Sequence, residues 1–134
     1  MIVMNTRDQY ILEMRGDTLG FISETSSSEE RFQNKTIRPI LKFQNDLLID
    51  VFKNHVNKYK NEFYTYPTEK KLHYIENTIQ KDIKFRNSLK GILIGLFTIE
   101  EYAEYIQNSS ALNKRMMNLL IERLKSQIQL FEPN

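Results

Sequence analysis

The chain has no cysteine and contains only four glycines, three prolines and two histidines among its 134 residues. The absence of cysteine excludes a disulfide scaffold, a thiolate metal site, a cysteine nucleophile and an iron–sulfur cluster. Two histidines, His55 and His73, are too few for a three-histidine zinc site within one chain. The scarcity of glycine and proline leaves little material for turns.

An excess of charge and a long apolar run are also missing. Nineteen basic and seventeen acidic residues give a net charge of +2, whereas dedicated nucleic-acid binders usually carry a stronger excess or a visible cluster. The longest apolar run, residues 92–97, is far shorter than the roughly 18 residues that span a bilayer. The N-terminus lacks the basic region and the apolar stretch of a signal peptide. We therefore expect a cytoplasmic protein with no membrane partner.

The chain does have hydrophobic residues, 40% of the total, which recur mostly at intervals of three or four, the period of an amphipathic helix. No convincing alternating strand is found. We predict an all-α fold, a compact bundle of five or six helices in a single domain, residues 1–134, with two long helices, about 40–60 and 110–131, as its spine. Residues 1–5 are expected to be frayed, 16–27 to form a loop, and 132–134 to form a tail.

Local signals indicate where some helices begin and end. Gly16 can end a short first helix, and the loop after it has Leu19 and Phe21 as expected buried anchors. Pro39 should kink or split the next helix just before it, because the proline ring removes a hydrogen bond and crowds the preceding turn. Thr98 and Glu101 have the spacing of a capping box, which satisfies two backbone N–H groups at a helix start.

Basic residues suggest an anion-binding or nucleic-acid-binding surface. Arg31, Lys35, Arg38 and Lys42 are spaced by four, three and four residues, so they share one helix face if Pro39 bends the helix little. The alternative is an ordinary solvated face, since the total charge is small. An arginine cluster that converges in a pocket would indicate an anionic ligand. The complete set of anion or nucleic-acid candidates is Arg31, Lys35, Arg38, Lys42, Arg86, Lys114 and Arg115.

Three residues are weak candidates for a metal site. Glu69, His73 and Glu76 lie on one face of a predicted helix, and Asp46 and Asp50 on another helix could complete a ligand set. The alternative is an exposed polar face beside two lysines. We predict no bound metal and no cofactor.

Residues 98–125 have some features of a helix-turn-helix. Lys114 and Arg115 would lie near the start of the second helix, where they could reach base edges and phosphates. Asn113, however, falls where that helix should bury an aliphatic side chain. A capped helix pair within a bundle explains the same residues.

Four segments carry a resemblance to known proteins: RGDTLGFIS (15–23), TIRPILK (36–42), DIKFRN (82–87) and NSSALNKRM (108–116). Through them, the stretch from about residue 15 to 131 resembles a family of short uncharacterised bacterial proteins, some of which are labelled glyoxalase. The resemblance to a glyoxalase would imply paired βαβββ modules that bind a metal through His and Glu side chains on strands. This chain offers neither the strands nor the ligands, so its residues do not support that label.

No arrangement of acid, base and nucleophile stands out, so the catalytic residues are unknown and enzymatic activity is uncertain, with a non-enzyme favoured. The apolar stripes are wide enough to cover a core and to leave additional apolar area exposed on the surface. The predicted function is therefore a non-catalytic interaction or oligomerisation module, with a second copy of the chain as partner. The alternatives are nucleic-acid binding through 98–125 and a metal- or anionic-ligand-dependent enzyme centred on His55 or His73.

Overall fold

A computed structural model of the chain describes residues 4–59 and 62–132. These residues are all-helical and contain no strand, which confirms the all-α class. A π-helical turn, Gln33–Ile37, joins the second helix to the third in one rod, and short 3₁₀ turns lie at Phe63–Thr65 and Ile128–Leu130. The α-helices are α1 Thr6–Arg15, α2 Ser28–Phe32, α3 Arg38–Phe43, α4 Asn45–Lys58, α5 Thr68–Lys81, α6 Ile83–Ile94, α7 Ile99–Gln107 and α8 Ser109–Ser126.

The helix count and the spine differ from the prediction. Seven helices are present in the described residues when the α2–α3 rod is counted once. The predicted helix 40–60 is divided at Gln44, whose φ of −90° and ψ of 4° leave the α-helical region. The predicted helix 110–131 ends at Ser126 and continues as a 3₁₀ turn. The result is one central helix, the 18-residue α8, which packs against α5, α6, α7 and the π turn.

Aromatic rings fill one end of the core. Phe52, Phe63 and Phe131 are fully buried, and their ring centroids lie 5.4 to 6.2 Å apart in edge-to-face pairs. This geometry suits the quadrupole of the aromatic ring. Phe131 lies beyond the end of α8, so the 3₁₀ turn before it returns the chain to the core.

The loop 16–27 is irregular, as predicted, but its anchor is polar. Phe21 is 81% exposed, so its expected burial is wrong, and Leu19 is only half-buried. Asn34 holds the loop instead: its backbone oxygen accepts from the Leu19 N–H at 2.9 Å, and its Nδ2 donates to the Phe21 carbonyl at 3.0 Å. Gly20, with φ of +93°, allows the close approach, because a Cβ there would lie 2.8 Å from the Asn34 side chain.

The irregularity expected before Pro39 is present as the π turn. Pro39 has no N–H to donate to the carbonyl of Lys35, four residues earlier. That carbonyl accepts instead from Nη2 of Arg15 on α1, at 3.2 Å. A helix interruption thereby becomes an attachment point for another helix.

Residues 1–3 of the segment 1–5, which is predicted to be frayed, lie outside the described residues. Residues 133–134 of the predicted tail 132–134 also lie outside them. Asn5 is the N-cap of α1, and its Oδ1 accepts from the Asp8 N–H at 2.8 Å. Glu132 lies 3.6 Å from Nζ of the buried Lys71. None of the described helices is long and apolar enough to cross a membrane.

Candidate functional site

The turn between α6 and α7 is clamped by side chains of α1. Arg7 donates through Nη1 to the Phe97 carbonyl and through Nη2 to the Gly95 carbonyl, both at 3.0 Å. Asp8 accepts at 3.0 Å from the backbone N–H of Ile99, the first residue of α7. Helix C-termini expose carbonyls and helix N-termini expose N–H groups. The cation and the anion of α1 therefore each meet the helix end of opposite polarity.

The Arg15–Glu101 ion pair is the centre of this clamp. Arg15 donates Nη1 and Nη2 to the two carboxylate oxygens of Glu101 at 2.5 and 2.8 Å. Thr36 Oγ1 and the Thr98 backbone N–H also donate to the carboxylate, at 2.6 and 2.8 Å. Arg15 and Glu101 have side chains only 2% and 12% exposed, so α1, the π turn and α7 are joined in a nearly dry environment.

The protonation of both acids in the clamp follows from their partners. Burial alone would raise the pKa of Glu101, but the hydrogen bonds from Arg15, Thr36 and Thr98, with the charge of Arg15, lower it overall. The backbone hydrogen bond from Ile99 is the main reason that the pKa of Asp8 is also lowered. Every donor of Arg15 is paired except Nε, the one unpartnered buried side-chain polar atom in the described part of the chain.

The capping box predicted at Thr98 and Glu101 is confirmed. The sequence did not indicate that Arg15 completes it. The only local signal is the spacing of Arg7, Ile11 and Arg15, which places two cations and a core residue on one side of α1.

Helix α7 has an apolar flank that faces solvent. Ile99, Tyr102 and Ile106 are 63%, 49% and 53% exposed and lie on one side of the helix at spacings of three and four. Ala103 and Gln107, also exposed, border this flank and carry no charge. We call Ile99, Tyr102 and Ile106 the α7 flank.

The acidic residues of α7 lie away from the α7 flank. At 100° per residue, Glu100 and Glu104 are roughly 150° around the helix from it. They line a cavity of about 480 Å³ whose other wall includes Arg31 and Lys35. No ion pair spans this cavity within residues 4–59 and 62–132.

The structure distributes the predicted basic stripe over three cavities. Arg31 and Lys35 line the cavity beside α7, Arg38 lines a pocket between α3 and α8, and Lys42 lines a third cavity beside Gly16. Arg31 also donates to carbonyls of the loop 16–27, at 3.0 to 3.3 Å. The π turn lies between Arg31 and Arg38 and changes their angular register.

The pocket between α3 and α8 brings together two arginines, Arg38 and Arg123. Its volume is about 410 Å³, and Leu41 and Leu119 form apolar parts of its wall. Arg123 was absent from the predicted set, because its partner Arg38 is far away in the sequence. The remaining lining residues are Glu122, Ser126 and Gln127.

Several residues of the possible helix-turn-helix are already engaged in contacts with other parts of the chain. Arg115 donates to Oε1 of Gln33 at 2.9 Å and lies 3.8 Å from Oε2 of Glu29, while Asn113 accepts from the hydroxyl of Tyr105. Lys114 is exposed on the outer face of α8. Arg86, the remaining basic candidate, is half-buried on α6 and shares none of the three cavities. DNA binding through 98–125 stays a prediction that these contacts do not favour.

The metal candidates remain spread along α5. Glu69 and His73 are exposed, and Glu76 lies 3.5 Å from Nζ of Lys125. In the described ranges, no group of three histidine, aspartate or glutamate side chains is placed to hold a metal ion. Asp46 and Asp50 are exposed on α4 and do not complete a site.

His55 lies at the edge of the hydrophobic core. Its ring stacks on Phe85 with centroids 3.8 Å apart, and its Nε2 lies 3.5 Å from Oδ2 of Asp82. Burial lowers the pKa of His55, while the charge of Asp82 opposes that shift. His55 and Asp82 line one surface cavity together with Tyr74 and Thr78, and an enzyme centred on His55 stays a prediction.

Comparison with family models, with curated proteins and with solved structures finds no match. The resemblance of residues 15–131 to short bacterial proteins therefore stays a prediction.

Proposed function

We propose that this chain is a small non-catalytic interaction module that pairs with a second copy of itself through the α7 flank. The observation that supports this most directly is that α7 directs Ile99, Tyr102 and Ile106 into solvent. Its acidic residues lie on the other side, and the helix itself is fixed to the body by the Arg15–Glu101 clamp. The cytoplasm is the compartment that we propose for this module.

A second copy is the occupant that suits the charges of this surface. A two-fold axis brings each patch against itself, so a charged patch would repel its copy. The margins of the α7 flank, Ala103 and Gln107, are uncharged. Glu100 and Glu104 point roughly 150° away, so two α7 helices can pair without bringing these carboxylates together.

The rigidity of α7 lowers the cost of this pairing. Tyr102 packs against the buried Tyr105, with ring centroids 6.0 Å apart. The clamp at Glu101 fixes the first turn of the helix. Side chains that are already ordered lose less conformational entropy on association.

The size of the flank sets the strength of the pair. Each copy contributes only three half-exposed apolar side chains, whereas a standard stable interface takes about 20–30 residues from each partner. We expect a transient dimer that forms at high protein concentration and exchanges rapidly.

Sedimentation equilibrium over a range of protein concentrations tests the proposal, with circular dichroism to confirm that each variant is folded. The wild-type chain should show an average mass that rises with concentration, and Ile106→Lys should abolish the rise. Ile83→Lys is the matched control, because Ile83 is 61% exposed on α6, outside the α7 flank. A wild-type mass that stays at 16.0 kDa at millimolar concentration refutes the proposal, as does equal loss of the dimer in both variants.

A further inference from the structure

Two guanidinium groups meet in the pocket between α3 and α8. Arg38 is the first residue of α3, and Arg123 lies in the last turn of α8. Both side chains are half-buried and line the same cavity of about 410 Å³. Cavities of this size hold small organic ligands.

Each guanidinium is anchored by a neutral amide, not by a carboxylate. Arg38 Nε donates to Oδ1 of Asn34 at 2.8 Å, and Arg123 Nη1 donates to Oδ1 of Asn45 at 3.3 Å. Within the described residues, no Asp or Glu oxygen lies within 4.0 Å of either group. The amides fix the orientation of the two groups and leave both charges unneutralised.

A polar network holds Arg123 in place. Asn45 and Gln127 exchange two amide hydrogen bonds, at 2.8 and 2.7 Å, and Gln127 Nε2 also donates to the Arg123 carbonyl at 3.0 Å. Ser126 donates its hydroxyl proton to the same carbonyl at 2.7 Å. The Arg123 segment is therefore ordered in advance, as a binding site requires.

The two positive charges affect each other. Burial lowers the pKa of Arg123, and the charge of Arg38 lowers it further. Glu122 lines the pocket but does not neutralise it, because its side chain is 71% exposed and lies 4.0 Å from Nζ of Lys125. The arrangement costs stability in the free protein, and such a cost is typical of a site maintained for a ligand.

We propose that the Arg38–Arg123 pocket binds a small phosphate monoester, with the phosphate between the two guanidinium groups and its organic part against Leu119. A guanidinium presents paired N–H donors that match the oxygens of a phosphate. A phosphate monoester carries nearly two negative charges at neutral pH, which balances the two arginines. The half-buried Leu119 supplies apolar surface that inorganic phosphate cannot use. This proposal is independent of self-association.

Isothermal titration calorimetry and thermal unfolding, with inorganic phosphate and phenyl phosphate as probes, test the assignment. Sodium chloride at matched ionic strength controls for general screening. Both probes should raise the Tm by mass action, and phenyl phosphate should bind more tightly than inorganic phosphate. Equal binding of the two probes would overturn the apolar part of the proposal, and no effect beyond that of chloride would overturn all of it.

Variants identify the pocket as the site. Arg38→Gln and Arg123→Gln should each weaken phenyl phosphate binding at least about tenfold. Each variant removes one of the two repelling charges together with one hydrogen bond to an amide, so circular dichroism should first confirm that each variant is folded. Lys114→Gln is the matched control, since it removes one exposed positive charge from α8 and should leave binding unchanged.

The same panel can reject the site. A weaker interaction in Lys114→Gln equal to that in Arg38→Gln would show binding to net charge only. If Arg123→Gln fails to fold, Arg123→Lys keeps the charge and loses the paired donors. It should still weaken binding, and undiminished binding in Arg123→Lys and Arg38→Gln would refute the proposal.

Discussion

Removal of the Glu101 carboxylate should destabilise the fold more than removal of any other acidic group that the structure places at a helix start. Glu101→Ala deletes four hydrogen bonds, two of them to Arg15, and leaves the Arg15 guanidinium 2% exposed with no counter-charge. Breaking a buried ion pair from one side costs about 3–5 kcal/mol. Domains of this size have a total stability of about 5–15 kcal/mol, so the variant should lose a large part of it.

Urea unfolding followed by circular dichroism measures this loss, and a double-mutant cycle with Arg15→Met assigns it to the pair. Arg15→Met/Glu101→Ala should cost at least about 2 kcal/mol less than the sum of the single changes, because the second change removes the isolated charge. Glu100→Ala is the matched control, since Glu100 is exposed on the same helix turn, and it should change stability by no more than about 0.5 kcal/mol. A cost for Glu101→Ala below about 1 kcal/mol, or additive single changes, would refute the role assigned to the clamp.

Three further predictions concern the pH dependence of the clamp and two glycines outside it. The fold lowers the pKa of Glu101 below its usual 4.5, so the contribution of this carboxylate to stability should be complete above pH 4.5 and lost as the pH falls through the folded-state pKa. Urea titrations from pH 6 to 3 should therefore show a smaller fall in the free energy of unfolding for Glu101→Gln than for the wild-type chain. Parallel curves for the two proteins would contradict the assignment. Gly20→Ala should cost more than about 1 kcal/mol, since its positive φ and the nearby Asn34 both oppose a Cβ. Gly91→Ala, whose Cβ would meet no atom within 4 Å in α6, should instead stabilise the chain by about 0.5–1 kcal/mol. Urea unfolding of both variants beside the wild-type chain measures the two effects, and equal changes of one sign would contradict the reasoning.

The sequence was most informative where an interaction spans one helix turn. The capping box of Thr98 and Glu101 joins residues three apart, so its two members are visible in one short segment. The end of α1 at Gly16 is equally local, because a glycine at φ of +76° completes the turn. The all-α class followed from the apolar period, which depends on nearest turns alone.

Contacts between distant segments could not be predicted in this way. Arg15 and Glu101 are 86 residues apart, and nothing in either local pattern selects the other as a partner. The loop after Gly16 shows the same limitation. The apolar Phe21 looked like its anchor, whereas the backbone and amide of Asn34 hold it, because a polar side chain can satisfy a loop backbone that an aromatic ring cannot.

The basic stripe shows how a small change in backbone geometry alters a functional prediction. A regular helix would align Arg31, Lys35 and Arg38 into one cationic surface. The π turn rotates Arg38 away from the first two, and α8 supplies Arg123 opposite it. The spacing of the basic residues predicts one surface, whereas the structure places them in separate cavities.

Arg15 and Arg123 are alike in the sequence and opposite in their electrostatic surroundings. Arg15 meets a carboxylate that is hydrogen bonded four times, so its charge is neutralised within the chain and serves the fold. Arg123 meets a second arginine and neutral amides, so its charge is left for something else to neutralise. Even a half-buried charge that the protein does not balance costs folding free energy. That cost separates the two sites: a ligand that stabilises the protein through Arg123 should have no such effect through Arg15, where the balancing group is already present.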